Sequence, residues 1–504
     1  MFSSQIFPIR RAQVRGELFQ HALRARKRPP PTIEKEDDVK EWRLEERWIM
    51  GFFIMGSGLI LFLNLWGRSL ENNGYIGYAE VAREMVRSGD WVVPHANGEV
   101  FIDKPPLLFW LIAIPSYLYG SVTPLIARLP SFFSAWIGVF ILFLWGKRVF
   151  GKTWSGLMAG GILLSTYQYF FQARLAKTDI LLCLFIILSL YFFYLGYEAS
   201  EKRRYLFNGF AFFFMGLGVL TKGPLGLFPP LIILAVFLIK NREWKMLVSK
   251  EFILGYLILA LTVLPWVLLF VHRIGLDQTI TLVKENQILT RRAPIYFYFI
   301  RIWLQFFPWS LFLPFLALYL WRQGGKIWYS KESFFLVWFI VYFVILTLFK
   351  FRVSRYLLPA LPPLALMMGG MERKKLVPFL IVFLLAISVW HGRECYWIKR
   401  DCSYSPGMVL VTELKPFLKE SSLFAYGLEG STVKEINFYL DPITPIPILR
   451  HPDELLKQWG ESEKEIFLMP VEAFEKIQSR WSTPIIVCQE FRYKKEKLVL
   501  VSIH

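Results

Sequence analysis

Long apolar runs recur along the chain, at residues 48–66, 125–146, 153–171, 180–197, 205–221, 224–240, 251–271, 297–320, 333–349, 356–371 and 376–390. A helix needs about 20 apolar residues to cross the hydrocarbon of a bilayer. Backbone groups find no water at that depth, so a spanning segment must be helical or part of a closed barrel. The repeated runs therefore predict a mainly α, polytopic membrane protein of about eleven transmembrane helices. Composition agrees: 55% of the 504 residues are hydrophobic and 17% aromatic, more than a soluble domain carries. A net charge of +19 would point to nucleic acid in a soluble chain, but in a membrane chain Lys and Arg belong first to cytoplasmic loops. No nucleic-acid partner is expected.

Threading the runs from a cytoplasmic N-terminus tests that reading. The inner loops then carry Lys147, Arg148 and Lys152; Lys202, Arg203 and Arg204; Lys240, Arg242 and Lys245; Arg322, Lys326 and Lys331; and Arg373, Lys374 and Lys375. Every one is basic, as the positive-inside rule requires. Residues 1–47 form a cytoplasmic segment, basic at first (Arg10, Arg11, Arg15, Arg24, Arg26, Lys27, Arg28) and then charged in both signs. The apolar run that follows comes too late and is too long for a cleavable signal. Residues 48–390 make the membrane domain, and an odd number of spans leaves 391–504 outside the cytoplasm. In that tail "SSLFAYG" and "TPIIVCQEF" read as strands, and "DELLKQWG" and "PVEAFEKIQSR" as helices, of a small α/β domain. Cys183, Cys395, Cys402 and Cys488 show no metal-binding spacing; Cys395 and Cys402 read either as a disulfide in an oxidising compartment or as a reduced pair. His95 and His272 are too far apart in sequence to mark a metal site, and neither metal nor cofactor is expected.

The outer side is where topology alone asks for no cations. It nonetheless carries Lys104, Arg174, Lys177, Lys222, Arg273, Lys284, Arg291, Arg292, Lys350, Arg352 and Arg355. Any one of these reads most simply as a snorkelling side chain at a helix end. Five separate segments bringing cations to one membrane face read as a site that neutralises an anion, and phosphate suits both the fork of Arg and the point charge of Lys. A phosphate met at membrane depth belongs to a lipid. Two acids share that face: Asp179, which also reads as a helix cap at the start of a Leu-, Ile- and Phe-rich helix, and Asp103, which also reads as the internal partner of Lys104.

Six segments carry a resemblance: "YAEVAREMVRSGDWVVPHANGEVFIDKPPLLFWL" (78–111), "ARLAKTDILL" (173–182), "GVLTKGPLGLFPPLIIL" (218–234), "ENQILTRRAPIYFYF" (285–299), "FFPWSLFLP" (306–314) and "SRYLLPALPPLAL" (354–366). In order, and over about residues 48–390, they resemble the GT-C fold glycosyltransferases, within the protein mannosyltransferase and aminoarabinose (lipid A) transferase superfamily. The resemblance implies a sugar taken from a polyprenyl-phosphate donor and passed to a glycolipid, glycan or protein acceptor at the outer face of the membrane, with inversion. Lys104 and Lys222 match the family's "KPP" and "TKGP" lysines, and Arg352 and Arg355, with Lys350 beside them, fall in the segment that carries a phosphate-facing base. One departure stands out: the family's Asp-Glu pair upstream of "RYAE" aligns with Gly74 and Tyr75 in "LENNGYIGYAE". The proton acceptor is then expected from Asp179, Glu71 or Asp103, with Glu80 one helical turn on, unless the acceptor already bears an anionic oxygen or catalysis is impaired.

The remaining expectations concern geometry. "DKPP" places Lys104 at the membrane surface, where Pro105 and Pro106 start the next helix, with its ammonium facing the donor phosphate and Asp103 orienting it or contacting sugar hydroxyls. In the loop 272–296, Glu285 and Asn286 lie where the family orders a loop over the donor, and Arg291 and Arg292 guard the headgroup; a solvated connector is the plain alternative. A transporter or flippase of an anionic polyprenyl-phosphate lipid is the competing function, set against by helices that are polar only at their outer ends. The family subtype places the chain in a bacterial inner membrane.

Overall fold

Some of the apolar runs fold as long unbroken helices, two of them with a proline inside (Pro130 and Pro265), and others are interrupted. The computed structural model describes residues 44–67, 70, 76–286, 293–349, 352–371, 376–402, 406–418, 421–442, 445–458, 465–478, 485–494 and 496–502. Its helices up to the C-terminal region are α1 (Leu44–Phe62), α2 (Ile76–Ser88), α3 (Leu107–Tyr119), α4 (Pro124–Phe150), α5 (Thr153–Ser165), α6 (Tyr167–Gln172), α7 (Thr178–Glu198) and α8 (Glu201–Lys222), followed by α9 (Phe228–Lys240), α10 (Lys250–Ile274), α11 (Leu276–Asn286), α12 (Phe297–Gln305), α13 (Leu313–Gln323), α14 (Ser333–Leu348), α15 (Leu361–Gly369) and α16 (Leu376–Cys402).

Among the described residues five helices are long and apolar enough to cross a membrane: α4, α7, α8 with its 3-10 extension to Gly226, α10, and Pro378–Tyr396 within α16. The run at 297–320 passes the same test only as a pair, Phe297–Gln305 with Trp309–Trp328, bent by 111° around Pro308, a residue with no N–H to give; the pair is a broken span or a re-entrant loop. Elsewhere the expected runs are shorter or interrupted. The run 153–171 is cut at Thr166, whose backbone is extended. The run 356–371 opens as a 3-10 turn over Ser354–Ala360 with Pro359 inside it, and α15 then starts with Pro362 in its first turn. Helix α9 has 13 residues, about 20 Å of rise against about 30 Å of hydrocarbon.

Burial explains why α7 reads as almost unbroken Leu, Ile and Phe. Its apolar window is 89% buried, against 11% for α10, so α7 is walled in by protein while α10 turns most of its surface outward. A helix apolar all round belongs inside. Trp145 of α4 is packed between Tyr191 and Tyr194 of α7 and Phe334, Phe335 and Trp338 of α14, with ring centroids 5.2–5.8 Å apart.

The segment between α2 and α3 forms a two-residue hairpin, β1 (His95–Ala96) with β2 (Glu99–Val100), paired antiparallel. Asn97 and Gly98 both take positive φ, 58° and 75°, as the tight Asn-Gly turn requires. Helix α16 runs without a break through the boundary expected at 391. Beyond it, β3 (Ser422–Tyr426), β4 (Ile448–Leu449), β5 (Glu465–Pro470), β6 (Ile486–Tyr493) and β7 (Glu496–Ser502) form one sheet in the order β4-β3-β5-β7-β6. The first three strands are parallel and β7 is antiparallel to both its neighbours. With them come α17 (Pro406–Leu414), α18 (Gly430–Leu440), α19 (Pro452–Gln458) and α20 (Val471–Gln478). Helix α18 docks on α2 and the hairpin. Arg83 donates to Asp441 Oδ1 at 3.2 Å and to the Pro442 carbonyl at 3.1 Å, and Asn437 donates to Asn97 Oδ1 at 2.9 Å. Cys395 accepts a hydrogen bond from Asn64 Nδ2; the side chain of Cys402 lies outside the described residues, as do residues 1–43.

The turn after α8 is held by a backbone-on-backbone contact between Gly218 and Gly226. A Cβ on Gly226 would fall 2.0 Å from the carbonyl carbon of Gly218, where no side-chain movement relieves it. Gly226→Ala is expected to lower the thermal midpoint of the detergent-solubilised protein, by an overpacking cost of about 1–3 kcal/mol. Differential scanning fluorimetry reads this directly, and an unchanged midpoint would contradict the contact.

Candidate functional site

Helix α8 stops at Lys222 because Gly223 takes φ 61° at its C-terminus, its N–H returning to the Val219 carbonyl, and Pro224 cannot continue the helix. That stop delivers the Lys222 ammonium sideways, buried, against the carboxylate of Asp179, with which it forms a close ion pair through Oδ1. Asp179 is the second residue of α7 and 4% exposed. It does not cap the helix: the cap position is Lys177, and Asp179 spends its oxygens on cations instead. Its Oδ2 lies 3.2 Å from Nε of Arg355. One acid from α7 thus gathers cations from α8 and from the 3-10 turn at Ser354–Ala360. A buried charge is tolerated when it is paired and hydrogen-bonded.

The Arg355 segment is itself pinned. Tyr298 of α12 donates to the Val353 carbonyl at 3.3 Å and accepts from the Val353 N–H at 3.2 Å. Gln305 donates to the Ser354 carbonyl at 2.6 Å, and Tyr342 of α14 to the Tyr356 carbonyl at 3.0 Å. The Tyr356 ring then lies under the Lys222 ammonium, 4.2 Å from Nζ to centroid, a cation–π contact that leaves the face of the ammonium turned toward the cleft.

From the other side come Asp103 and Lys104, ahead of α3. Lys104 Nζ folds back on Asp103, 2.5 Å from Oδ1 and 2.7 Å from the carbonyl, so the internal pairing open in the sequence is made. Tyr78 of α2 donates to Asp103 Oδ2 at 3.4 Å. Burial, and then the nearby charges of Asp103 and Asp179, push the Tyr78 phenol well above its usual range, which keeps it a neutral donor. Asp103, Lys104, Pro105, Lys222, Gly223, Pro224, Leu225 and Tyr356 line one cleft of about 280 Å³.

Lys177 joins this group from the start of α7. Burial first and then the repulsion of Arg355 and Lys222, opposed by Asp179, lower its amine to about 8. Sequence reasoning counted Lys177 among the outer cations without giving it a place in the site; its position two residues before Asp179 was the signal. Lys104, Lys177, Lys222 and Arg355 face two carboxylates, Asp103 and Asp179. The excess of two positive charges matches a phosphate monoester dianion. Tyr78, Tyr298, Gln305, Tyr342 and Tyr356 were also missed as positioning groups, because nothing in a linear pattern separates them from core aromatics.

Other expected members are placed elsewhere. Arg352 donates to the carbonyls of Ala293 and Thr347. Arg174 donates to the carbonyls of Leu61 and Leu63, closing the end of α1, and lies 3.9 Å from Glu394. Arg273 pairs with Asp90 at 2.9 Å. In each case the guanidinium satisfies helix-end or loop acceptors. Glu285 and Asn286 end α11 in the backbone, with their side chains outside the described residues; Glu71, Gly74, Tyr75, Arg291, Arg292 and Lys350 lie wholly outside them. Among the described residues no three His, Cys, Asp or Glu side chains converge on one point.

Residues 103–269 match the dolichyl-phosphate-mannose-protein mannosyltransferase family. A protein of unassigned function from Aquifex aeolicus is 30% identical over 342 residues, 66% of each chain. The undecaprenyl phosphate-alpha-4-amino-4-deoxy-L-arabinose arabinosyl transferase of Edwardsiella ictaluri is 27% identical over 336 residues, 64% of this chain and 59% of that one. The aligned part therefore spans about three fifths to two thirds of these relatives' length. Among solved structures, ArnT from Cupriavidus metallidurans bound to undecaprenyl phosphate superposes with a TM-score of 0.77 at 18% identity, over 90% of this chain and 98% of that one. The Archaeoglobus fulgidus oligosaccharyltransferase gives 0.54 at 13% identity, over 84% of this chain and 68% of that one.

The lowered Lys177 amine sets a pH dependence. Below about 8 it is charged and adds to the attraction for an anion; above, it is neutral. Farnesyl phosphate has completed its second ionisation by then, at about 6 for phosphate monoesters. Its affinity is expected to be flat from pH 7 to 7.5 and to fall by up to tenfold per unit above 8, the fall disappearing in Lys177→Arg. An identical fall in that variant would contradict the assignment.

Proposed function

Because the chain belongs to the GT-C fold superfamily of protein mannosyltransferases and aminoarabinose transferases, we propose that it is an integral-membrane glycosyltransferase using a polyprenyl-phosphate-linked sugar. The observation that carries this is the cationic excess around Asp179: Lys222, Arg355 and Lys177 together with Lys104 across the cleft. As the bond from the anomeric carbon to the phosphate oxygen breaks, the polyprenyl phosphate gains charge. Preorganised cations in a partly dry site stabilise that charge without reorganising. The acceptor oxygen forms its bond on the opposite face of the sugar, giving inversion, and any proton it carries passes to a carboxylate.

Of the acids considered, Asp179 has both oxygens engaged by cations, which fits a role in holding Lys222 and Arg355. Asp103, half-exposed and contacting Tyr78 and Lys104, is the carboxylate with access to the cleft. An acceptor already bearing an anionic oxygen needs neither. We read Lys104, Lys222 and Arg355 as the phosphate-binding set and Asp103 as the group that orients Lys104 or meets sugar hydroxyls. For the orientation we rely on the basic loops of the eleven-run threading, which favour a site and a C-terminal sheet outside the cytoplasm of a bacterial inner membrane.

The test is sugar transfer by the full chain in proteoliposomes, supplied with undecaprenyl-phosphate-linked 4-amino-4-deoxy-L-arabinose as first donor and envelope lipid extract as acceptor, read by mass spectrometry. Lys222→Met and Arg355→Gln are each expected to lower the rate at least about a hundredfold, the usual loss of one preorganised donor. Lys202→Gln, on the opposite membrane face, should leave it unchanged. Rates within twofold of the parent in both site variants would overturn the assignment.

A further inference from the structure

At the seam between α18 and the outer loops, Lys434 is a cation without an acceptor among the described residues. Its ammonium lies 5.1 Å from the centroid of the Phe101 ring, and its stem runs past Gly77, where an added Cβ would meet Cδ at 3.8 Å. Phe101 stands edge-on to Tyr78 at 6.3 Å, and Tyr78 is the residue bonded to Asp103. The amine is therefore linked to the Asp103–Lys104 wall of the cleft through two rings, Phe101 and then Tyr78.

Four carboxylates act on Lys434 through space, Glu84, Glu99, Glu80 and Asp103, yet each is held by another group. Glu80 takes Arg83 through both oxygens, at 2.7 and 2.8 Å. Glu84 accepts the N–H groups of Asn97 and Gly98 at 2.5 and 3.1 Å. Glu99 takes Arg450 at 2.5 Å and Asp103 takes Lys104 at 2.5 Å. Among the described residues Lys434 Nζ has no ion pair and no hydrogen bond. An ammonium half removed from water with its donors unused is costly, and the aromatic face recovers only part of that cost.

We infer that Lys434 is a binding residue for the acceptor, holding an oxyanion of the acceptor headgroup, a phosphate monoester or a carboxylate, at the seam between α18 and the hairpin. This rests on the glycosyltransferase reading above. It gives the C-terminal region a direct part in the reaction: the donor's phosphate is met by the Lys222 side of Asp103, and the acceptor's anion by the Lys434 side. The two substrates are then held across one carboxylate by lysines that each lie on an aromatic ring.

The test is lipid binding to the full-length protein by native mass spectrometry. The probes are undecaprenyl phosphate, a diacyl glucosamine 1-phosphate lipid, its unphosphorylated counterpart and a diacyl glucuronosyl lipid. The parent should hold undecaprenyl phosphate together with one of the two acidic glycolipids, and which one binds identifies the anion as phosphate or carboxylate. Lys434→Gln should weaken that glycolipid at least about tenfold, the usual loss of a charged hydrogen bond, while undecaprenyl phosphate binds as before and so reports an intact fold; Lys434→Arg should restore it. Equal glycolipid binding by Lys434→Gln and the parent, or no preference of the parent for acidic over neutral glycolipid, overturns the inference. Loss of undecaprenyl phosphate binding by the parent would overturn the donor reading instead, and the glycolipid arm would still decide Lys434.

Discussion

Asp179 is a carboxylate at the start of the candidate span most enclosed by protein among the described residues, where an unpaired charge would cost several kcal/mol. Its presence there demands cations, and it draws them from two elements that are remote in sequence: Lys222 at the stop of α8 and Arg355 in the turn before α15. The ends of three elements are tied together by that one group. Because Lys177 and Lys104 stand alongside, the acid is outnumbered even after Asp103 is counted. The same interaction that permits the buried charge therefore leaves an anion-shaped deficit in the cleft.

The surroundings keep this arrangement from relaxing. Were the 3-10 turn at Ser354–Ala360 free, Arg355 would swing out toward solvent, since it is more exposed than its partner. Tyr298, Gln305 and Tyr342 fix the backbone on either side of it. Gly226, packed on Gly218, fixes the turn after Lys222 in the same way. Rigid supports of this kind make a charge site useful for catalysis, because the cost of ordering it is met in folding rather than at the transition state.

Much of this was legible beforehand, for stated physical reasons. The stop of α8 at "TKGP" follows from glycine's access to positive φ and proline's missing N–H, so Lys222 at a helix end was readable. The apolar periodicity located α4, α7, α8 and α10 within a few residues. It did not separate spanning helices from broken ones, because the interruptions at Thr166, Pro308 and Pro359 leave no mark in hydropathy that distinguishes them from Pro130 and Pro265, which lie inside the unbroken α4 and α10. Nor could it sort the guanidinium groups: Arg174 and Arg352 bind carbonyls and Arg355 binds a carboxylate, yet all three sit at similar sequence positions near helix ends. Which acceptor arrives depends on contacts far apart in the chain. Asp179 read equally well as a cap for the same reason, its partner Lys222 being 43 residues away.

The most direct measurement is an electron cryomicroscopy map of the protein with undecaprenyl phosphate bound. Phosphate density within hydrogen-bonding reach, about 3 Å, of Lys222 and Arg355, on the cleft side of the Tyr356 ring, is the predicted result. Density seated beyond reach of both, with the Asp179 pairs undisturbed and no anion between them and Lys104, would contradict the account.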